Sequence, residues 1–174
     1  MRSFVCIAHL TRNELEAFGY YVVAENDGVE RSVLVLQSLG GNTGDGVFLY
    51  NLLRSLPMEI VTQNMGQTCS AAATGYLGGS VRRVSPAASF MIHQSTFNLQ
   101  AAPIAHLSAA TSAIMIDNER CAGILNSHIS LSPEQQSQLA VSDLWLSAQQ
   151  SIDCGLATQI GEFDVPIGFR PYFI

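Results

Sequence analysis

The chain has 174 residues, is 48% hydrophobic and only 13% charged, and carries a net charge of −6 with a pI near 5.0. That length suggests one domain, 1–174, with a substantial core, and so apolar a chain is expected to cover part of its surface with partner subunits. All eight basic residues are arginines, none forms a basic patch, and nucleic acid is therefore not expected as a partner.

The four cysteines, Cys6, Cys69, Cys121 and Cys154, lack CxxC spacing. They read as reduced, mostly buried thiols of a cytoplasmic protein. No metal-ligand spacing joins them to His9, His93, His106 or His128, so no metal is expected. The apolar run at the N-terminus is too short for a signal peptide, and no stretch has the length of a membrane span.

In chain order, Phe4–Ala8 reads as a strand, and Thr11 with Glu14 forms a capping box opening a helix to about Ala24. Ser32–Ser38 is apolar on both faces and reads as a buried parallel strand. A turn through Gly40, Gly41 and Gly44 leads to a helix over Asp45–Leu56, ended by Pro57. Glu59–Met65 is the next strand, and Gly66 turns the chain into a helix from about Ser70 to Leu77, stopped by Gly78 and Gly79. The segments SVRRV and ASFMIH read as short strands around Pro86, and 94–103 as a loop. A long helix is expected from about Ile104 to Ser127, because Ile104, Leu107, Ile114, Cys121 and Leu125 recur near helical spacing. Ser132–Pro133 opens a short helix, the capping box Ser147–Gln150 opens another, and Gly155 closes it. The alternation of strands and helices predicts an α/β fold, with function at strand ends where helices begin.

Three residues sit in frames that suit nucleophilic catalysis. Ser70 stands where a strand meets a helix start, beside unpaired helix-start N–H groups, though serine is equally at home there as a helix cap. His93 follows the apolar SFMI run and fits either a general base or a hydrogen-bonded edge residue. Asp143 enters the apolar LWL segment and fits either an acid that orients the base or a turn residue. Gly40 and Gly41 serve turn geometry, or the Gly41 N–H joins that of Ala71 in an oxyanion hole. Cys69 is a rival nucleophile, but adjacent side chains point apart, so Cys69 and Ser70 cannot both face His93.

Taken together these segments resemble the proteolytic subunit of the Clp (caseinolytic) protease family. SLGGNTGDGVFLYNLL is similar to that family's SPGG segment, MGQTCSAAATGYLGG to its nucleophile segment, SPAASFMIHQ to its base segment and SDLWLSAQQSIDCGLATQI to its acid segment. The resemblance runs from about Phe4 to Phe163. Within it Leu39 replaces the usual Pro, Thr68 and Cys69 replace two small residues, Ala71 stands where Met is common, and the Ser70–His93 interval is about two residues short. It implies the ClpP/crotonase fold, a spiral of strand–strand–helix units, with a handle region at about 94–131.

The resemblance also implies a serine peptidase acting on peptides or unfolded polypeptides. Ser70 takes the nucleophile role, His93 the base and Asp143 the acid, with Gly41 and Ala71 as oxyanion donors and no cofactor. It implies a homo-oligomeric ring of six or seven subunits, in one layer or two stacked. The long helix, with Met115 and Ile116 as well as its apolar stripe, fits that contact. The chain starts almost at the first core strand, so the family's N-terminal axial segment is expected to be missing, which leaves partnership with a Clp-type ATPase doubtful. Two other readings remain. An acyl-CoA hydratase or isomerase shares the fold, but it needs a Glu or Asp base and a CoA-binding surface. A non-catalytic ring subunit would assemble with an active paralogue.

Overall fold

The computed structural model describes residues 13–18, 30–96 and 103–163, and the backbone of 2–7 and 172–173. In chain order the elements are β1 (Arg2–Ile7), α1 (13–18), β2 (Arg31–Leu36), α2 (Thr43–Ser55), β3 (Glu59–Asn64), β4 (Gln67–Cys69), α3 (Ala71–Tyr76) and β5 (Val81–Val84). There follow β6 (Ser89–Ile92), α4 (Ile104–His128), α5 (Pro133–Leu139), β7 (Leu144–Ser147), α6 (Ala148–Asp153), β8 (Gln159–Ile160) and β9 (Tyr172–Phe173). The expected Thr11 capping box, the helix beyond residue 18, and most of the 94–103 loop lie outside the described residues.

Two sheets organise these elements. The larger is wholly parallel, in the order β8-β5-β3-β2-β1-β9. The smaller has the order β4-β6-β7, with β4 parallel and β7 antiparallel to β6, and Ser38 adds a single bridge to Thr68 at its β4 edge. The chain repeats one path three times. It runs through a strand of the large sheet, a short step in the small sheet, then a helix: β2–Ser38–α2, β3–β4–α3 and β5–β6–α4. This is the expected α/β spiral of strand–strand–helix units.

The strands form where the residues permit burial on two faces. Five successive residues of β3, Ile60 to Asn64, are buried. Its last three are polar and bond internally, as buried polar groups generally do, except that Gln63 Oε1 has no partner among the described residues. Thr62 donates to the Tyr76 carbonyl at 2.9 Å, and Gln63 Nε2 lies 3.2 Å from Ser85 Oγ. Asn64 donates to the Ser89 carbonyl at 2.8 Å and accepts from the Gly66 N–H at 3.0 Å. Asn64 thereby ties the turn before β4 to the start of β6, so a polar residue of the large sheet sets the entry to the small one.

The core joins Leu34, Leu36, Leu49, Leu53, Ile60, Tyr76, Phe90, Leu144 and Leu146, each such side chain contributing roughly 1.5–3 kcal/mol when fully buried. Helix α2 lies almost backbone to backbone on α3. A Cβ on Gly46 would stand 2.3 Å from the Ala71 carbonyl oxygen, which is why a glycine faces an alanine there.

Four strands, β4, β7 and the two-residue β8 and β9, are absent from the sequence reading, and the first two bear on the site. The chain does not turn at Gly66 directly into a helix; it first makes β4, three residues paired to β6. Likewise the LWL segment after Asp143 is β7, with Leu144 and Leu146 buried and Trp145 and Ser147 exposed. Neither strand is long enough to display a period, and each exists because β6 offers it a partner.

Among the described residues no helix is long and apolar enough to cross a membrane. Helix α4 buries only Ala110 of its 25 residues. Its C-terminal end is held to α2 by a contact of 3.0 Å between His128 Nε2 and the Tyr50 hydroxyl.

Candidate active site

The three repeats of the chain path deliver their small-sheet ends to one edge. Gly40 and Gly41 follow Ser38, Ser70 follows β4, and His93 follows β6. Asp143 comes just before β7. Because β6 and β7 are antiparallel with Ile92 opposite Leu144, the next position outward sets His93 opposite Asp143.

Ser70 occupies a sharp strand-to-helix elbow. Its φ of 55° and ψ of −128° make it the one described non-glycine residue with positive φ. Such a conformation costs about 1–3 kcal/mol and persists only where the surroundings over-determine it. They do so here: the Ser70 N–H donates to the Met91 carbonyl at 2.7 Å, and the Cys69 N–H donates to the Ser38 carbonyl at 2.9 Å. All of α3 behind it is buried. Ser70 stands at the N-cap position, yet its side chain makes no capping bond. Its Oγ lies instead 2.7 Å from His93 Nε2. The capping reading of this serine therefore fails, because the elbow's positive φ turns the hydroxyl away from the helix start.

On the other side of the imidazole, His93 Nδ1 lies 3.9 Å from Asp143 Oδ1, with the aspartate side chain 55% exposed and the histidine 25%. That is ion-pair range and too long for a hydrogen bond. The Asp143 backbone carbonyl is held by Gln138 Nε2 at 2.9 Å.

The glycine turn presses directly on the elbow. Gly40 has φ 102°, and a Cβ there would lie 2.7 Å from Ser70 Cβ and 3.3 Å from the Ala71 nitrogen. A residue other than glycine is excluded twice, by conformation and by space. Gly41, Ala71, Ser70 and His93 share one cavity of about 100 Å³. The helix bonds of α3 begin with the Ala73 N–H donating to the Ser70 carbonyl, so the Ala71 N–H precedes the hydrogen-bonded turn, where helices leave donors for other partners. Across His93 lies a wider groove of about 200 Å³, which Leu139, Val141 and Asp143 line.

Cys69, the rival nucleophile, is 1% exposed, and burial pushes its thiol pKa up. Both effects make it a poor source of thiolate. The sequence reading missed the far wall of the Ser70 cavity, formed by Thr43, Thr74, Ser95, Thr96, Cys121 and Leu125. The signal was present for three of them: Thr74 lies four residues past Ser70, and Cys121 and Leu125 share one face of α4. Asn118, also missed, accepts from the Ser95 N–H at 2.7 Å. Among the described residues no three His, Cys, Asp or Glu side chains gather as metal ligands.

Comparison with known proteins agrees with this architecture. The sequence profile of the Clp protease family matches residues 20–164. An ATP-dependent Clp protease proteolytic subunit 1 of Rhodopirellula baltica is 26% identical over 163 residues, which cover 88% of this chain and 68% of that protein. A proteolytic subunit 2 of Pseudomonas aeruginosa is 24% identical over 129 residues, 73% of this chain and 64% of the relative. A Chlamydomonas reinhardtii subunit is 26% identical over 152 residues, and there the match spans only 28% of the relative's length. In three dimensions the chain superimposes on a ClpP1 mutant from Listeria monocytogenes with a TM-score of 0.76 at 20% identity, covering 93% of this chain and 91% of that one. With the family profile extending over most of its length, the chain belongs to the Clp protease family, a family of serine-type endopeptidases.

Proposed function

We propose that this chain hydrolyses peptide bonds through Ser70, His93 and Asp143. Ser70 Oγ attacks the scissile carbonyl carbon while His93 Nε2 takes its proton. The tetrahedral oxyanion is held by the Gly41 and Ala71 N–H groups. When the C–N bond breaks, His93 returns the proton to the leaving amine, and water then repeats the sequence to release the acyl group. Asp143 holds the imidazole in the tautomer with hydrogen on Nδ1. It has about 1 Å to close before that contact is a hydrogen bond, and apo sites are commonly looser than loaded ones.

One observation carries this reading: a serine with positive φ, no capping role, and its Oγ 2.7 Å from an imidazole nitrogen. An acyl-CoA hydratase has no use for that pair. Its chemistry needs a carboxylate base at the reacting carbon, and the residue beside Ser70 Oγ is a histidine.

The substrate is a peptide or unfolded polypeptide, and the working form is a homo-oligomeric ring. The relatives' names, which say proteolytic and subunit, support a polypeptide substrate and an assembly, and the uncovered apolar side chains of α4 support the assembly: Met115 is 67% and Ile116 61% exposed. The domain is a single peptidase unit whose handle, about 94–131, is chiefly α4. The described cysteines, Cys69, Cys121 and Cys154, are all free thiols, as suits the reducing cytoplasm.

The test is a fluorophosphonate probe followed by mapping of the labelled residue. Labelling is expected at Ser70. Ser70→Ala is expected to lower peptide hydrolysis by at least about 10³-fold while leaving the oligomer's mass unchanged. Labelling elsewhere, or full activity in Ser70→Ala, rejects the assignment; an unlabelled and inactive assembly returns the non-catalytic ring subunit.

A further inference from the structure

The cavity beside Ser70 is small and lined with hydroxyls. Thr43, Thr74, Ser95 and Thr96 supply four hydroxyl groups besides that of Ser70, Cys121 a thiol, and Ala71, Ile92 and Leu125 the apolar remainder, around a volume of about 100 Å³. That is the room of about three waters, and less than the ~150 Å³ in which benzene fits.

The walls are braced rather than loose. Thr74 is 5% exposed. Thr43 Oγ1 lies 3.5 Å from Ser95 Oγ, and the Ser95 N–H donates to Asn118 of α4 at 2.7 Å. The start of α2, the exit of β6 and the middle of α4 are thus linked around the opening, and widening it breaks contacts between three elements.

What enters follows from the geometry of attack, and rests on the peptidase reading above. A carbonyl carbon in position for Ser70 Oγ lies about 3–3.5 Å away. The next backbone atom on the acyl side, about 1.5 Å further, carries a side chain that must go into the space Ser70 itself lines. The leaving-group residue lies instead beside His93, which protonates it, and faces the wider groove toward Val141 and Asp143.

We propose that this cavity selects a small side chain on the acyl side of the scissile bond, no larger than valine and with alanine, serine and threonine favoured. The leaving-group side discriminates little. Leucine overfills the cavity, and an aromatic ring does not fit. A single methylene already changes rates by about 10–200-fold in a fitted pocket, so leucine is expected at least about tenfold behind alanine.

The experiment uses diphenyl 1-(N-acetylamino)alkylphosphonates, in which phosphorus replaces the carbonyl carbon, bearing the side chains of alanine, threonine, valine, leucine and phenylalanine, with a plain fluorophosphonate as the reference. The rate of labelling at Ser70 is read by mass spectrometry on the full assembly. The expected order is alanine and threonine first, valine next, leucine at least about tenfold slower and phenylalanine slowest. Leu125→Ala opens the end wall and is expected to shift the leucine-to-alanine ratio about tenfold toward leucine; an unchanged ratio removes Leu125 from the wall. Should that variant not fold, the wild-type series decides alone. A flat series, one led by leucine or phenylalanine, or one in which only the fluorophosphonate reacts, overturns the small-residue preference while leaving Ser70 as nucleophile. Failure of the fluorophosphonate itself at Ser70 overturns the peptidase reading as well.

Discussion

Helices α3 and α4 both follow a strand of the small sheet, yet they relate to the rest of the chain in opposite ways. The six residues of α3, Ala-Ala-Ala-Thr-Gly-Tyr, are all buried; of the 25 residues of α4 only Ala110 is. A helix as short as α3 has no stability of its own. It exists because α2, β4 and β6 enclose it, and the same enclosure holds Ser70 at a φ that serine avoids. Helix α4 is long enough to persist with little help and leaves Ile104, Met115 and Ile116 uncovered. Burial at the elbow maintains strain, whereas on the proposed ring the exposure of α4 keeps apolar surface available for other copies of the chain.

This contrast can be broken at several points, the strongest being the chemistry on the buried side. On the proposed mechanism Asp143→Asn loses the anion that orients His93. The expected fall in kcat/KM is about 10³-fold, or ~4 kcal/mol of barrier, with little change in unfolding midpoint because the side chain is 55% exposed. A peptide-hydrolysis assay showing a loss under threefold would mean that the 3.9 Å gap never closes.

Paired glycine substitutions come next. Gly40→Ala meets both a positive φ and the Ser70 Cβ, and urea titration is expected to show a loss of roughly 1–3 kcal/mol. Gly123→Ala, on α4, meets nothing within 4 Å, and is expected to stabilise by about 0.5–1 kcal/mol. Equal signs for the two would remove the distinction between an enclosed elbow and a free-standing helix.

Charge on α4 should act on assembly and not on the subunit. Met115→Glu with Ile116→Glu is expected to change subunit stability by less than about 0.5 kcal/mol while light scattering reports a smaller particle. An unaltered mass would place the subunit contacts elsewhere.

The smallest effect lies at the C-terminal end of α4, where His128 meets Tyr50 of α2. Burial, and then the charges of Arg82 and Arg54, hold the His128 pKa below its ordinary 6.5. The folded chain therefore binds fewer protons at this site than the unfolded chain does. Its stability is full above that ordinary value and declines as pH falls from there toward the lowered one. His128→Gln removes this slope, so the gap in melting temperature between wild type and variant should narrow as pH falls from 7.5 to 5.5. A gap independent of pH would show that His128 binds its proton equally in the folded and unfolded chain.

Much of this architecture was legible from residue order. Ser32–Ser38 is apolar enough to announce a buried strand and Glu59–Met65 reads as the next one; β2 overlaps the first, starting one residue earlier, and β3 falls within the second. The capping box at Ser147 forms with its reciprocal glutamine bond, and the helix opened by Ser132–Pro133 also forms, held by a capping box of its own. The MGQTCSAA frame singled out Ser70 before any geometry was available. What residue order did not reveal was β4 and β7, because Gln67–Cys69 and Leu144–Ser147 are too short to show a period-two pattern.

Residue order alone thus carries the α/β class, the order of the longer elements and the identity of the candidate site residues. Local propensity and hydrophobic period act over neighbours in the chain, and these features depend on nothing further. Only the tertiary structure decided that Gly41, Ser70, His93 and Asp143 share one edge, since that requires β4 and β7 to choose β6 as their common partner. Strand pairing joins residues more than fifty positions apart in the case of β6 and β7, and its register is set by which side chains the core can accept. The 2.7 Å contact at Ser70, the 3.9 Å gap at Asp143 and the braced 100 Å³ cavity arise from that choice, because each is a distance between elements.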